Sequence, residues 1–314
     1  MTHPHFSIIA PAFNEEKTLP EFYRRVREVM DDLREPWELV LVNDGSTDAT
    51  PKVMRQLHAQ DPRVRIVDFA RNFGHQIAVT AGLDHARGEA VVTIDADLQD
   101  PPEVIADLIA RWKEGYDVVY GVRAEREGET WFKLFTARLF YRLIAALTDV
   151  EIPMEAGDFR LLDRQVVKDL QLMREHRRFI RGLTSWVGYR QIGVPYVRQA
   201  RFAGETKYPF RKMFRLALDA VTGFSDLPLK LATICGFTLI GLGLVLGIIL
   251  LGLRLAGRAP LAGQGIVLTA VLLLSGTQLI FLGIAGEYVA RIYEEARGRP
   301  LYVIRELVGF EGSE

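Results

Sequence analysis

A chain of 314 residues can bury a sizeable core in one large domain or two modest ones. Its 39 lysines and arginines against 40 acids exclude the global charge imbalance that would draw it to nucleic acid or another polyanion, so a charged partner must be met by local clusters. One cysteine, Cys235, excludes an intramolecular disulfide and fits a reducing compartment.

The N-terminus, MTHPHFSIIAPAFNEE, turns acidic too early for a secretory signal, so the first domain is expected to stay on the side where it is made. Short β-branched runs follow: FSIIAPAF (6–13), WELVLVNDGS (37–46), RVRIVDFA (63–70), EAVVTIDAD (89–97) and YDVVYGVR (116–123). Between them, TLPEFYRRVREVMDDL, TPKVMRQLHA and PPEVIADLIARWKEG have apolar spacing near 3.6. Strand and helix alternating predicts an α/β domain with a mainly parallel, Rossmann-like sheet and helices on both faces. Ligands of such sheets bind beyond the carboxyl ends of the strands, which makes the loops there the candidates for function.

The loop after the second strand, NDGSTDATP, offers Gly45 for a tight turn, Thr50 and Pro51 for a helix start, and Asp44 with a carboxylate free to accept from a base or ribose. Asp48 is expected to cap or turn. After the fourth strand, TIDADLQDPPE puts Asp95 and Asp97 on the same side by alternation. Two like charges side by side need a cation; oxygen donors suit Mg²⁺ or Mn²⁺, with Gln99 adding a neutral oxygen and substrate phosphates completing the shell. An acidic surface turn remains the alternative for a D-x-D taken alone. His75 and His85 have no second histidine or cysteine at ligand spacing and are expected to be structural.

After the fifth strand, Arg123, Arg126, Lys133 and Arg138 form a basic cluster beside an apolar face of Phe132, Phe135, Leu139, Leu143 and Leu147, so 131–147 is either an interfacial helix or an ordinary core helix. A mixed basic and apolar segment, 210–228, is expected to lead along the membrane. Beyond residue 228 the composition turns apolar. Segments 229–253 and 265–289 are each long enough to cross a bilayer, which predicts a two-helix transmembrane hairpin with 290–314 as a tail. Arg254 and Arg258 lie in the connector, while Arg211, Lys212, Arg215, Lys230, Arg291, Arg297, Arg299 and Arg305 flank the outer ends, so both termini are placed in the cytoplasm.

PAFNE, VNDGSTD and DADLQDPPE, in that order at strand ends, resemble the family-2 glycosyltransferases of GT-A fold. With RNFGHQIAVTAGLDHARGEAVVTIDADLQDPPE, GDFRLLDR, RFAGETKYPFRKM and the apolar C-terminal part, nearly the whole chain resembles the membrane-anchored polyprenyl-phosphate glycosyltransferases. The resemblance implies a GT-A domain over 1–209, a donor diphosphate held through a metal by Asp95, Asp97 and Gln99, and a nucleotide held by Pro11, Ala12, Glu15 and Asp44. It further implies an acceptor phosphate near Lys133 and Thr136, phosphate-neutralising roles for Arg201 and Lys207, and a carboxylate at Asp158 on the acceptor side. The absence of Q-x-x-R-W favours transfer of one sugar over processive synthesis.

Together these readings point to metal-dependent, inverting transfer of one hexose, glucose from UDP-glucose, to undecaprenyl phosphate at the cytoplasmic membrane. A phosphate acceptor is already anionic and needs no general base. Other donors within the class are GDP-mannose and UDP-linked N-acetylhexosamine or 4-amino-arabinose derivatives. The reading of another class is a silent nucleotide-sugar-binding membrane module. A homo-oligomer is compatible with either.

Overall fold

The computed structural model describes residues 3–123, 156–198 and 263–310, with scattered positions between 232 and 256. Contacts divide them into two units. The first holds the described residues up to Arg198 and again from Pro300, the second those between Ala217 and Arg299.

In the first unit the expected runs become β1 (Phe6–Ala12), β2 (Trp37–Asn43), β3 (Val64–Phe69), β4 (Ala90–Thr93) and β5 (Val118–Arg123). Every residue of β1 to β4 is buried, as strands covered by helices on both faces must be. Burial of charge is compensated within the sheet: Glu38 accepts from the Ser7 hydroxyl at 2.5 Å and pairs with Arg65 at 3.1 Å.

Helices α1 (Leu19–Asp32), α2 (Thr50–Gln60), α3 (His75–His85) and α4 (Val104–Lys113) follow the first four strands. Leu19, Phe22, Tyr23, Val26 and Met30 give α1 one buried stripe, and full burial of a side chain such as Phe22 stabilises by roughly 1.5–3 kcal/mol. Proline in the first turn starts both α1 and α2, where its missing N–H costs nothing. Helix α3 is different: Ile77 to Leu83 are all buried, and a Cβ on Gly82 would stand 3.0 Å from Ile9, so this helix sits close against β1.

Next come β6 (Ala156–Asp163), α5 (Arg164–Leu172), α6 (Ile180–Trp186) and β7 (Gln191–Tyr196). Asp163 caps α5 by accepting from the Gln165 amide at 2.8 Å. The eight-stranded sheet has the order β7-β5-β6-β4-β1-β2-β3-β8. Pairs β1/β2, β1/β4, β2/β3 and β5/β7 are parallel, so the mainly parallel expectation holds at its centre. Strand β6 runs antiparallel between β4 and β5. Ala12 stands opposite Asn43 and Thr93 opposite Ile9, which brings the loops after β1, β2 and β4 out at one edge.

One expectation is refined here, and another finds no support among the described residues. Segment 290–314 is not simply a tail: residues Ile304–Val308 form β8, which pairs antiparallel with β3 at the edge of the sheet. The transmembrane hairpin finds no support in the described residues, among which no helix is long and apolar enough to cross a membrane. Span 229–253 lies largely outside them. Span 265–289 falls within α7 (Gly263–Ala296), a helix of 34 residues in the second unit, several of whose side chains also lie outside them. The helix at 131–147 and the segment 210–228 lie outside the described residues as well.

Candidate active site

At the carboxyl edge of the sheet a cavity of about 170 Å³, open to solvent, is lined by Pro11, Ala12, Glu15, Asp44, Asp95 and Asp97, all six expected there, and by His75. The loops after β1 and β2 are stitched together beneath it. Asn14, at φ 59°, donates its amide to the Ser46 hydroxyl at 3.0 Å and accepts from the Thr47 amide at 2.8 Å. The Glu15 amide donates to Thr50 Oγ1 at 2.8 Å, and the Glu15 carboxylate accepts from the Thr18 hydroxyl at 2.6 Å. Asp48 accepts from the Thr50 and Glu16 amides, the turn role expected of it.

Asp44 departs from expectation. Its carboxylate is not free but accepts from the amides of Phe73 at 2.7 Å and Gly74 at 3.1 Å, and the residue is only 4% exposed. Burial pushes this carboxyl up, against the two amides and the charges of His75 and Arg71. It therefore presents the β2 loop by tying it to the β3 loop. Gly45, at φ 68°, is needed there because a Cβ would meet the backbone of Arg71 and Asn72 at 2.4 Å.

Strand β4 ends at Thr93, so Asp95 and Asp97 lie in the following loop rather than on the expected strand 89–97. Both still reach the cavity, with Ala96 buried between them. The Gln99 amide donates to Asp97 Oδ1 at 3.0 Å, which fixes the turn, and the Gln99 side chain is not part of the cavity lining. Asp95 is pushed up to about 6: burial disfavours its charge, His75 opposes this, and Asp158, Asp97 and Asp100 add repulsion.

Asp158, on β6, is the centre of a network invisible in the sequence. Arg181, from the first turn of α6, donates to Oδ1 at 2.8 Å and to Oδ2 at 3.1 Å. Gln76 donates to Oδ2 at 3.4 Å while its own carbonyl oxygen accepts from the Ile180 amide at 3.0 Å, which ties α3 to α6. Burial would raise the Asp158 carboxyl, but His75 and Arg181 hold it well below the usual carboxylate range. His75 Nε2 stands 3.6 Å from Asp95 and 3.4 Å from Asp158. Burial draws its imidazole down, yet these two acids outweigh it and hold the ring up at about 9. His75, expected to be structural, is thus part of the site; its signal was the G-H-Q run that opens α3. His85 is structural, its Nδ1 lying 2.8 Å from the Ala81 carbonyl.

Of the expected basic residues, Arg123 ends β5 beside Tyr196, outside the cavity lining. Arg126, Lys133, Thr136, Arg138, Arg201 and Lys207 lie outside the described residues. Among the described residues no three His, Cys, Asp or Glu side chains converge as an all-protein metal site. Two carboxylates at a cavity, one of them crowded by further acids, fit a hard divalent cation whose remaining positions are taken by water and phosphate oxygens.

The glycosyl transferase family 2 model matches residues 7–171. The uncharacterized glycosyltransferase YkcC of Bacillus subtilis is 50% identical over 98% of this chain and 96% of its own. The SfII prophage-derived bactoprenol glucosyl transferase of Shigella flexneri is 41% identical over 96% and 97%. Glucosyl-3-phosphoglycerate synthase from Mycobacterium tuberculosis, solved with Mn²⁺, uridine-diphosphate and phosphoglyceric acid, is 20% identical at a TM-score of 0.47 over 70% of this chain and 76% of that one. The parallel-centred α/β unit has the GT-A fold. Matched by the family model over more than half its length and by these relatives almost end to end, the chain belongs to glycosyl transferase family 2.

Proposed function

We propose that this chain transfers a single glucose from UDP-glucose to a polyprenyl phosphate, with inversion and with Mg²⁺ or Mn²⁺ at the donor. The observation that carries this is the convergence of Asp95 and Asp97 with Pro11, Ala12, Glu15 and Asp44 on one cavity at the carboxyl edge of the sheet. Bactoprenol glucosyl transferases at 41% identity along almost the whole chain support the donor and acceptor classes.

An oxygen of the acceptor phosphate attacks the anomeric carbon, the bond to the nucleoside diphosphate breaks, and its electron pair leaves on the diphosphate. Asp95 and Asp97 would hold a divalent cation there, and such a cation would neutralise that developing charge. His75, protonated at its raised value, adds positive charge at the same wall. Asp158 has both oxygens engaged and is held ionised, so its role is to orient rather than to take a proton. That suits an acceptor that carries no proton to remove.

The acceptor phosphate is assigned to Arg123, Arg126, Lys133, Thr136 and Arg138, with Arg201 and Lys207 on the donor diphosphate. We further propose placement in the cytoplasmic membrane through a hairpin of 229–253 and 265–289, with the catalytic unit and both termini on the cytoplasmic side. This is supported by the apolar runs 229–253 and 265–289 in the sequence, each long enough for a bilayer, and by the exposed Leu279, Ile280, Leu282 and Val289 of α7.

Purified full-length protein, incubated with undecaprenyl phosphate and a panel of labelled UDP- and GDP-sugars with and without EDTA, tests the whole reading. EDTA-sensitive label in the organic phase from UDP-glucose is expected. Transfer from another donor corrects the sugar, and no transfer from any donor by protein that still binds UDP refutes the catalytic reading.

A further inference from the structure

Strand β8 lies far from the cavity in the sheet order, yet two hydrogen-bonded routes lead from it to the loops that line the donor site. At its pairing with β3 the register is irregular: Glu306 stands opposite Asp68 and Ile304 opposite Phe69, which leaves Arg305 as the extra residue of a bulge. A bulge re-aims its side chain, and Arg305 turns back onto the end of β3. Its Nη2 donates to the Ala70 carbonyl at 2.9 Å, and its Nη1 lies 3.8 Å from Asp68 Oδ2. Arg55 approaches the same oxygen to 3.7 Å and is itself held by Glu306 of β8 at 2.6 Å.

Asp68 is only 3% exposed, and its other oxygen accepts from the Asn43 amide group at 2.6 Å. Asn43 ends β2, and its side-chain Oδ1 accepts from the Ser46 amide at 3.1 Å, while the Ser46 hydroxyl accepts from the Asn14 amide in the β1 loop. The second route runs through Ala70, whose amide donates to Val303 at 3.0 Å. Two residues later Asn72 donates to the Asp44 carbonyl at 3.0 Å, and Phe73 to the Asp44 carboxylate at 2.7 Å. Each route ends on a loop that touches the cavity.

We infer that β8 is a positioning element of the donor site, with Arg305 as its positioning residue, acting through Asp68 and Ala70 on the loops after β1, β2 and β3. The inference rests on the reading that those loops hold the nucleotide. Removing Arg305 and Arg55 leaves the buried Asp68 carboxylate facing Asn43 without its cations, which favours a different rotamer of Asn43 and loosens the Ser46 turn.

The test is UDP titration by calorimetry, with Mn²⁺ present, on the full chain in detergent. The Kd is expected to rise roughly tenfold in Arg55→Ala/Arg305→Ala and severalfold in Arg305→Ala, with Arg305→Lys close to the unaltered chain. Hydrogen exchange at the Ser46 and Phe73 amides should accelerate in the double variant while the amides of β1 keep their protection. A lowered melting temperature with unchanged Kd and unchanged exchange at those two amides would mean a merely structural strand and would overturn the inference alone. Failure of the unaltered, folded chain to bind UDP would remove the donor reading and this inference together.

Discussion

Arg181→Ala isolates the hold on Asp158. The guanidinium makes two charge-assisted bonds, at 2.8 and 3.1 Å, to a carboxylate only 18% exposed, and is itself 29% exposed. Removing one partner of a fully buried pair costs about 3–5 kcal/mol. Partial exposure of Arg181 and the surviving contacts from His75 and Gln76 bring the expected loss to about 2–3 kcal/mol. In a unit of this size that lowers the melting temperature by about 5–10 °C. A double-mutant cycle with Asp158→Asn should return a coupling of about 1.5–2 kcal/mol. Because the pair depresses the Asp158 carboxyl, its stabilisation is complete above the ordinary value of 3.8 and is lost only as the pH falls below it. The penalty of Arg181→Ala should therefore be full at neutral pH and shrink in acid. Transfer assays should show a raised KM for the lipid acceptor with the donor KM nearly unchanged. Coupling below about 0.5 kcal/mol, or a penalty that is the same at acid and neutral pH, would refute the assignment of Asp158 as a carboxylate held ionised by Arg181.

Asp97→Asn should reduce glucose transfer by about 10²- to 10³-fold while leaving the melting temperature within a degree or two, measured by label in the organic phase and by thermal scan. Asp95 is pushed up to about 6, so in the ligand-free protein its anionic form is lost as the pH falls through that value. Affinity for Mn²⁺ should weaken by about tenfold per pH unit below it, and Asp95→Asn should flatten the profile in a Mn²⁺ titration. Gly45→Ala combines a left-handed φ of 68° with backbone 2.4 Å from the new Cβ, whereas Gly74→Ala at φ 100° meets nothing within 4 Å. The second, at φ 100° and ψ 153°, should cost about 1–3 kcal/mol of stability from strain alone; the first should cost more and also weaken UDP binding, as calorimetry and melting curves on both variants can decide.

The parts of the fold that depend on local pattern were readable in advance. Runs such as WELVLVN are buried strands because both faces are covered, and TLPEFYRRVREVMDDL has the one-sided spacing of a helix on a sheet. Helix α3 escaped notice for the opposite reason: it is buried on all sides between Ile77 and Leu83, so no periodic contrast marks it. Strands β6 and β8 are set by distant partners, Arg160 opposite Thr93 and Glu306 opposite Asp68, and neither pairing leaves a trace in adjacent residues. The same division runs through the site. Asp95 and Asp97 stood out as neighbours in a motif. His75 and Arg181 became relevant only because α3 and α6 meet at Asp158, across a sequence separation that composition and spacing do not register.

The antiparallel insertion of β6 carries a consequence for how such an enzyme can diversify. Asp158 owes its position to a ladder in which Arg160 pairs with both Thr93 of β4 and Tyr120 of β5, so neighbouring strands locate it. A slip of one residue would turn it to the other face of the sheet, whereas lengthening or replacing the chain between β5 and β6 leaves the ladder intact. If that chain carries the acceptor contacts proposed above, exchanging residues 124–155 between relatives would change the acceptor while Asp158 stays where its ladder holds it. Chimaeras that swap this segment between relatives are the natural way to retarget the reaction.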